Sequence, residues 1–259
     1  MFALRALQSR GRRQLSRGST YQRDDFAKNP DHILLIMGSG GLAREMFWHM
    51  RSAGYRGRIL MYSDYGGQTT NASACIVINN LQHLSRFGTS ARYMVGVGSP
   101  ALKQQMAARA DEHGIPIAPT YVHPLAHVAD EIRGLGRGGF IAPGVLITTN
   151  VTLGDHVTLN LGVTVGHDAI IGSYCTVNPN ASVSGNVRIG QQTLVGALAG
   201  IREGIVVGER ATIGLGAAVV KNVADGETVV GVAAAPLVKS NKPKPVVLKS
   251  MCVRSEPLD

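Results

Sequence analysis

An aliphatic residue recurs at every sixth position from Leu135 to Val219, and this period restricts the possible folds more than any other feature. It fits neither the 3.6-residue period of an α-helix nor the alternation of a β-hairpin, but it is the period of a parallel β-helix. Each hexad would form a short strand and a tight turn, so that three hexads close a triangular coil of about 18 residues. The aliphatic side chains would stack inside, with coils about 4.8 Å apart. The repeating positions are Leu135, Ile141, Ile147, Leu153, Leu159, Val165, Ile171, Val177, Val183, Ile189, Val195, Ile201, Val207, Ile213 and Val219.

The flanks of the repeat suggest how the stack of coils begins and ends. Two further hexads, residues 122–127 and 128–133, precede the series, and Gly134 places them one residue out of register. Because an open stack must cover its ends, we expect the preceding part of the chain to cover one end. The segment after Val230 should turn out of the stack at the other. The period does not determine the hand of the coil.

The net charge of +9 is concentrated in the two tails. Residues 1–30 carry seven Lys and Arg against two acidic residues, and the basic tail 238–259 carries five against two, which gives +5 and +3 of the +9. The remaining +1 is spread over residues 31–237, where aromatic residues are few. Residues 31–237 therefore lack the basic surface and the aromatic stacking platform of nucleic-acid-binding proteins, so we predict no nucleic-acid partner.

The first 23 residues bear on the cellular location. They contain six Arg and no acidic residue, which is typical of an organelle transit peptide but also of a disordered basic extension. We expect a cytoplasmic protein, with a mitochondrion or other organelle as the alternative. No apolar stretch approaches the roughly 20 residues of a membrane span, so no membrane partner is predicted. The three Cys are widely spaced, which suggests a reducing compartment and no metal site.

Residues 31–120 predict a small Rossmann-like α/β domain with a parallel sheet, because strand-like and helix-like segments alternate. A glycine turn lies between the first strand and the first helix, and Asp64 follows the second strand. Such a turn lets a phosphate or carboxylate approach backbone N–H groups, and Asp64 is placed to accept from a sugar hydroxyl. Alternatively, the glycines only serve chain geometry and Asp64 caps a turn. The turn residues are Gly38, Ser39, Gly40 and Gly41. The predicted strands are 32–37, 58–62, 75–78 and 91–97, and the predicted helices are 42–54 and 101–114.

His167 differs from the other histidines by its place in the repeat. It occupies the third position of its hexad, and the same position one coil later is Gly185. A residue without a side chain above an imidazole leaves a notch of about one strand spacing, and Asp168 follows directly. This spacing favours a general base, an acid that orients it and backbone oxyanion donors in one small volume, with a solvated turn histidine as the alternative. His156, by contrast, is predicted at an ordinary outward position.

A series of motifs resembles the sugar acyltransferases of the sialic-acid O-acetyltransferase and UDP-amino-sugar N-acetyltransferase group. The resemblance spans residues 32–237, and its specific part is the His-Asp pair after an Asn-x-Gly hexad. It implies a left-handed β-helix acyltransferase domain over residues 121–237, following a nucleotide-sugar-binding domain over residues 31–120. The motifs are, in order, GSGGLARE, YSD, VGVGSPALK, HPLA, NLGVTVGHD and IGLGAAVVKN.

The resemblance also assigns catalytic roles. His167 would be the general base, Asp168 would raise its basicity, and the backbone at Gly185 would face the thioester carbonyl. The implied reaction is direct transfer of an acetyl group from acetyl-CoA to an amine or hydroxyl of a sugar or nucleotide sugar. No metal takes part.

The implied binding residues fall into two groups. Acetyl-CoA would lie along the outside of the β-helix between two subunits of a homotrimer, near Thr176, Ala197 and Leu215. The acceptor would contact the glycine turn, Asp64 and Asn160. Asn160 and Asn178 stand one coil apart, so a structural amide ladder is the alternative for Asn160.

The chain departs from the family pattern on the acceptor side. Tyr65 stands where a second acid is common, Gly-Ser-Pro at 98–100 replaces Gly-Asn-Asn/Asp, and Lys103 replaces an Arg. The acceptor and the choice between amine and hydroxyl therefore stay open. Two alternative functions are a carbonic-anhydrase-like β-helix protein and a non-catalytic scaffold. The first, to which the Val-Thr-Val-Gly-His segment is also similar, needs three imidazoles on zinc. That resemblance implies a second histidine five residues after His167, where this chain has Gly172.

Overall fold

The structure is a computed structural model that describes residues 32–64, 75–82, 84, 90–231 and 235–236. Three features singled out in the sequence lie outside the described residues. These are the extension 1–30 with its transit-like segment 1–23, Tyr65, and the tail 238–259.

The residues before the repeat form a small α/β unit. Its elements are β1 (Ile33–Met37), α1 (Gly41–Ser52), β2 (Arg58–Tyr62), β3 (Ile76–Ile78), β4 (Ala91–Val95) and α2 (Pro100–Glu112). The four strands are parallel and lie in the order β3-β2-β1-β4. Every predicted strand and helix of this part of the chain is present, with ends shifted by at most two residues.

The start of α2 follows from local chemistry. Ser99 is the N-cap residue, since its Oγ accepts from the backbone N of Leu102 at 3.5 Å, and Pro100 takes the first helical position, where no N–H is needed.

In the described part of the chain, neither α1 nor α2 has the length and apolarity needed to cross a membrane.

The hexads form a parallel β-solenoid. Its strands are β5 (Tyr121–Val122), β6 (His127–Val128), β7 (Phe140–Ile141), β8 (Leu146–Ile147), β9 (Thr152–Leu153), β10 (Thr158–Leu159), β11 (Thr164–Val165), β12 (Ile170–Ile171), β13 (Thr176–Val177), β14 (Ser182–Val183), β15 (Arg188–Ile189), β16 (Leu194–Val195), β17 (Gly200–Ile201), β18 (Val206–Val207), β19 (Thr212–Ile213), β20 (Ala218–Val219), β21 (Thr228–Val230) and β22 (Ala235–Pro236). From β7 to β20, each strand pairs in parallel with the strand three further along the chain, with partners such as Thr158 and Thr176 one coil apart. The solenoid matches the left-handed β-helix that the resemblance implies.

Three sheets form the faces of the solenoid. Sheet I contains β5, β7, β10, β13, β16, β19, β21 and β22; sheet II contains β6, β8, β11, β14, β17 and β20; sheet III contains β9, β12, β15 and β18. The aliphatic residue of each hexad from Ile141 to Val219 is buried, as predicted. The chain turns from one sheet to the next at corners, where the fourth hexad position often adopts a left-handed conformation, such as φ 59° at Asp168 and φ 56° at Asn180.

Both ends of the repeat behave as the sequence predicts. The two hexads before the main series belong to the solenoid, because β5 and β6 pair with β7 and β8. At the other end β22 pairs with β21 in antiparallel fashion, so the chain reverses after Val230.

The sequence predicts that the α/β unit covers one end of the solenoid, and the contacts of this unit with the solenoid extend along the side. Near the first coils, the ring of His49 in α1 lies 6.4 Å from that of Phe140. Farther along the axis, Gln192 Nε2 donates to Gln104 Oε1 of α2 at 3.0 Å. The contacts therefore extend over about three coils, and we call this contact region the seam.

His156 lies in the seam, so it points outward from the coil as predicted but is covered by the α/β unit. It is 3 % exposed, and its ring stacks between those of Tyr93 and Tyr174 at centroid distances of 5.5 and 5.2 Å. The hydroxyl of Tyr93 donates to Asp111 at 2.8 Å and lies 3.5 Å from His156 Nε2. The sequence places His156 on the outer surface of the solenoid, but the α/β unit covers this part of the surface.

Burial lowers the pKa of His156 to about 4, which makes the seam sensitive to acid. The unfolded chain binds this proton near pH 6.5, so this contribution to stability is complete above pH 6.5 and is lost as pH falls toward 4. The difference corresponds to about 3 kcal/mol. We expect His156→Phe, which keeps a stacked ring but cannot titrate, to reduce the loss of stability measured by urea unfolding between pH 7 and pH 4.5.

The matched control for this experiment is His127→Phe at an exposed position of the solenoid. It should retain the pH dependence of the unsubstituted chain. Equal pH dependence of the two variants would contradict the role given to His156.

Candidate active site

The turn between sheets II and III places His167 on the outside of the solenoid. Parallel pairing of β11 with β14 aligns Val165 with Val183, so the third position of one hexad lies against that of the next coil. The His167 side chain is 52 % exposed, and a Cβ built on Gly185 would lie 2.5 Å from His167 Nε2. The imidazole therefore covers Gly185, which is buried. The 18-residue spacing correctly brings the two residues together.

The space left by Gly185 is not an open notch, however. The ring lies across it, because a glycine is the residue that lets an imidazole of the previous coil lie flat against the backbone. Among the backbone hydrogen bonds between described residues, none is donated by the N–H of Gly185, whereas Ser184 donates to Ile201 and Asn186 donates to His167. An N–H without a backbone acceptor thus lies next to the imidazole.

Asp168 orients the imidazole. Its Oδ2 lies 3.0 Å from His167 Nδ1, and a carboxylate only accepts, so Nδ1 carries the hydrogen and Nε2 keeps its lone pair. The hydrogen bond from His167 lowers the pKa of Asp168, and Asn150 and Arg133 act in the same direction. Arg133 Nη2 lies 3.8 Å from Asp168 Oδ1. The pair has the hydrogen-bonding arrangement of a base and its orienting acid.

The three residues predicted near acetyl-CoA do not lie beside His167 within one chain. Ala197 and Leu215 stand at the corner between sheets I and II, and Leu215 is 74 % exposed. Thr176 is 1 % exposed and accepts from Lys103 at 2.7 Å. The side chain of Thr176 is therefore covered by α2 of the same chain, and its position near the cofactor stays a prediction.

Asn160 also lies at the corner between sheets I and II. Its side-chain oxygen accepts from the backbone N of Leu161 at 2.8 Å, and its backbone N donates to Val177. The side chain thus closes a local turn, and its proposed contact with an acceptor stays a prediction.

The glycine turn of the α/β unit separates into two parts. Gly38 has φ 118°, and a Cβ there would lie 3.0 Å from Val97 Cγ2, so chain geometry explains this glycine. Gly40 is the N-cap residue of α1, and neither Gly40 nor Gly41 has an atom within 4 Å of an added Cβ. Ser39 lies between these parts, and its side chain makes no cap hydrogen bond to α1 because the cap position belongs to Gly40.

Asp64 is engaged by neighbouring side chains. Its Oδ1 accepts from the hydroxyl of Tyr62 at 2.6 Å and forms an ion pair with Arg109 of α2. These bonds hold the carboxylate in place. Neither of the two roles predicted for Asp64, acceptance from a sugar hydroxyl or capping of a turn, includes them. The pKa of Arg109 is raised, mainly by Asp64.

Sequence reasoning missed Arg109, and it noted Lys103 only as a departure from the family pattern and not as a buried amine. Lys103 is fully buried, although it belongs to a helix with an exposed polar face. The available signal is its spacing, since it stands four and seven residues before the buried Ala107 and Ala110. A lysine in the apolar stripe of an amphipathic helix indicates a buried amine with polar partners.

The imidazoles of His156 and His167 lie at different corners of the solenoid, so one chain does not bring them together. Among the described residues, no group of three or more His, Cys, Asp and Glu side chains is arranged to hold a metal ion.

Solved structures of sugar N-acetyltransferases are similar to the chain. The acetyltransferase domain of PglB from Neisseria gonorrhoeae FA1090 is 28 % identical, with a TM-score of 0.73 over 80 % of this chain and 100 % of that domain. The same domain in complex with acetyl coenzyme A has a TM-score of 0.72, at 28 % identity over 80 % and 99 % of the two chains. PerB from Caulobacter crescentus, in complex with CoA and GDP-perosamine, is 25 % identical, with a TM-score of 0.70 over 80 % of this chain and 97 % of PerB.

No protein-family model matches the chain, and no curated protein matches it significantly. The structural neighbours nevertheless confirm the resemblance to the hexapeptide-repeat sugar acetyltransferases and, with it, the prediction of an acyltransferase. One of them contains acetyl coenzyme A, the donor that the resemblance implies, and another contains CoA, which is acetyl coenzyme A without its acetyl group.

Proposed function

We propose that the chain transfers the acetyl group of acetyl-CoA to the amine of a nucleotide-linked sugar, with His167 as general base. One observation carries the proposal: an imidazole oriented by Asp168 lies across the bare backbone of Gly185 on the outer surface of the solenoid. The similarity to sugar N-acetyltransferases over 80 % of the chain supports the same chemistry.

In the proposed reaction, His167 Nε2 takes a proton from the acceptor amine while the amine nitrogen bonds to the carbonyl carbon of the thioester. Asp168 stabilises the imidazolium that forms, because it accepts from Nδ1. The N–H of Gly185 is a candidate donor to the tetrahedral oxyanion, for which the ring must move slightly from its resting position. The carbon–sulfur bond then breaks, and the proton on Nε2 passes to the departing thiolate.

We further propose a homotrimer in which one subunit supplies the base and its neighbour completes the donor site. Ala197 and Leu215 lie at a different corner from His167, so they reach the same acetyl-CoA molecule only across a subunit contact. Large exposed apolar side chains support a contact at this corner, since Leu198 is 65 % and Leu215 is 74 % exposed. Sedimentation equilibrium giving the mass of a single 27.4 kDa chain would contradict the trimer.

The acceptor would be held by the Rossmann-like α/β unit, residues 31–120, against the solenoid domain, residues 121–237. Gly40 and Gly41 lack crowding neighbours, so a ligand can approach the backbone at the start of α1. Asp64 and Arg109 form an ion pair at the end of β2, where a sugar hydroxyl and a phosphate would find an acceptor and a donor.

The proposal is tested by the release of free thiol from acetyl-CoA in the presence of candidate acceptors. We expect release with at least one nucleotide-linked amino sugar, and product mass should rise by one acetyl group. Free sialic acids test the hydroxyl alternative, and acetyl-CoA without acceptor is the control. Absence of both acetyl-CoA binding by calorimetry and thiol release across the panel would contradict the proposed function.

A further inference from the structure

The amine of Lys103 joins the α/β unit to two successive coils of the solenoid. Its Nζ donates to Thr158 Oγ1 at 3.0 Å, to the carbonyl oxygen of Cys175 at 2.9 Å and to Thr176 Oγ1 at 2.7 Å. These three bonds use all three hydrogens of an ammonium group. Thr158 belongs to β10 and Thr176 to β13, so one side chain of α2 bridges neighbouring strands of sheet I.

Stabilisation of the fold does not by itself account for this arrangement. Lys103 is fully buried, and no carboxylate in the described part of the chain forms an ion pair with it. Burial lowers the pKa of Lys103 to about 7, which expresses the cost of holding a charge there. An apolar side chain of similar size usually stabilises such a site as well or better. A buried amine at this position therefore calls for another physical reason.

The reason lies in the repeat. Successive coils of a solenoid present nearly the same backbone surface about every 4.8 Å. If the seam were purely apolar, the α/β unit could therefore pack at several positions along the solenoid axis, which we call heights. The outward residues of sheet I distinguish those heights. Along β7, β10, β13, β16 and β19 they are Phe140, Thr158, Thr176, Leu194 and Thr212.

Two threonines follow each other at 158 and 176, and the next such pair, Thr212 of β19 and Thr228 of β21, lies three coils farther along the sheet. At the neighbouring heights one of the two hydroxyls would be replaced by the side chain of Phe140 or Leu194. The buried amine would then lack a partner, and leaving a buried charged donor unpaired is strongly unfavourable. The hydrogen bonds of Lys103 are thus satisfied at this height and at neither of the two neighbouring heights.

We propose that Lys103 is a positioning residue that sets the height of the α/β unit along the solenoid. The two coils that it selects also carry the candidate active site. Thr158 lies in the same coil as His167, and Thr176 in the same coil as Gly185. The side chain thereby holds the unit proposed to bind the acceptor beside the coils proposed to perform the transfer.

Other contacts of the seam follow the same register. Tyr93 of β4 stacks on His156, which in turn stacks on Tyr174. His156 stands two residues before Thr158 of β10, and Tyr174 stands two residues before Thr176 of β13. Stacked rings can slide with little change in energy, whereas three directed hydrogen bonds to one amine cannot. Lys103 therefore provides the specificity of the seam, and the rings provide buried area.

The height is measured directly as a distance between spin labels on the two parts of the full chain. Ser52→Cys at the end of α1 and Arg188→Cys in β15 are exposed positions for the labels. Cys252→Ser removes the cysteine of the tail. The remaining Cys75 and Cys175 are buried, which raises the pKa of each thiol to about 11 and makes them poor targets at neutral pH.

Two variants separate positioning from packing. Lys103→Met keeps the volume and removes the amine, and the triple variant Lys103→Met with Thr158→Val and Thr176→Val makes the contact wholly apolar. We expect a narrow distance distribution in the unsubstituted seam and a shift or broadening of about 5 Å, one coil spacing, in both variants. Lys221→Met at an exposed lysine is the matched control and should stay narrow.

A narrow distribution at the original distance in either variant overturns the proposal, because packing alone would then set the height. If Lys103→Met fails to fold, the triple variant decides, since it leaves no buried polar group unpaired. The distance measurement does not depend on the enzymatic activity.

The consequence for catalysis rests on the proposed function. We expect the triple variant to lower kcat/KM for the acceptor by at least about 10²-fold, because a misplacement near 1 Å already costs that much and one coil spacing is larger, with KM for acetyl-CoA unchanged. A merely structural role would leave kcat/KM per folded molecule unaltered. If the unsubstituted chain shows no acetyl transfer, the proposed function fails, while the distance result still decides the role of Lys103.

Discussion

Replacing His167 by alanine should lower the rate of acetyl transfer by about 10²- to 10⁴-fold, the usual contribution of a general base. Without the imidazole, no side chain of the turn has a lone pair directed away from Asp168 to take the proton of the acceptor amine. The side chain is 52 % exposed, lies over Gly185 and, among the described residues, bonds only to an exposed carboxylate, so its loss should change the free energy of unfolding by less than about 0.5 kcal/mol. The measurements are steady-state thiol release and urea unfolding of the same preparation.

The matched control is His127→Ala, which removes another exposed imidazole from the solenoid. Its rate should equal that of the unsubstituted enzyme. The assignment of His167 as the base would have to be abandoned if His167→Ala retained near-normal transfer while binding acetyl-CoA normally.

Gly185→Ala should also lower the rate of acetyl transfer, because it displaces the imidazole of His167 without removing it. The added methyl would lie 2.5 Å from His167 Nε2 and 2.6 Å from Cε1, so the ring must leave its place across the backbone. The hydrogen bond to Asp168 would be strained or broken, and Nε2 would move by about 1 Å or more, which costs on the order of 10² in rate. We expect kcat to fall by that order, with the distance distribution across the seam and the unfolding midpoint nearly unchanged.

Gly134→Ala provides the comparison for this variant. It adds the same methyl to another glycine of the solenoid, at which no atom lies within 4 Å of the new Cβ and φ is not left-handed. Full activity in Gly134→Ala and a large loss in Gly185→Ala would tie the loss to the imidazole. Equal, small effects of both would mean that the position of the ring above Gly185 does not matter for the reaction.

The contrast between the two buried titratable groups of the seam and the exposed pair at the candidate active site is instructive. His156 and Lys103 have pKa values lowered by burial, yet they stabilise or position a contact and do not reach a solvent-accessible surface. His167 and Asp168 are exposed and paired with each other. A pKa lowered by burial therefore marks contacts of the seam and does not mark the proposed active site.

The stacking of coils is the part of this protein that its sequence determined. In a solenoid every strand pairs with the strand one period away, so a period of six residues, three to the coil, specifies both the inward residues and which outward residues meet. The burial of Val165 and Val183 and the contact of His167 with Gly185 follow from that arithmetic. The strands of the α/β unit were predictable for a different local reason, because each is a short apolar run bounded by turn residues.

Only the tertiary structure decided how the α/β unit rests on the solenoid. The outer surface of a coil has no period that says whether solvent, another subunit or the same chain covers it, so the burial of His156 and Thr176 and the bonds of Lys103 could not be derived from spacing. The ion pair of Asp64 with Arg109 depends equally on where α2 crosses the sheet. These contacts join residues 45 to 73 positions apart and arise from the fit of two independently formed surfaces, whereas the repeat acts through the pairing of each coil with the next.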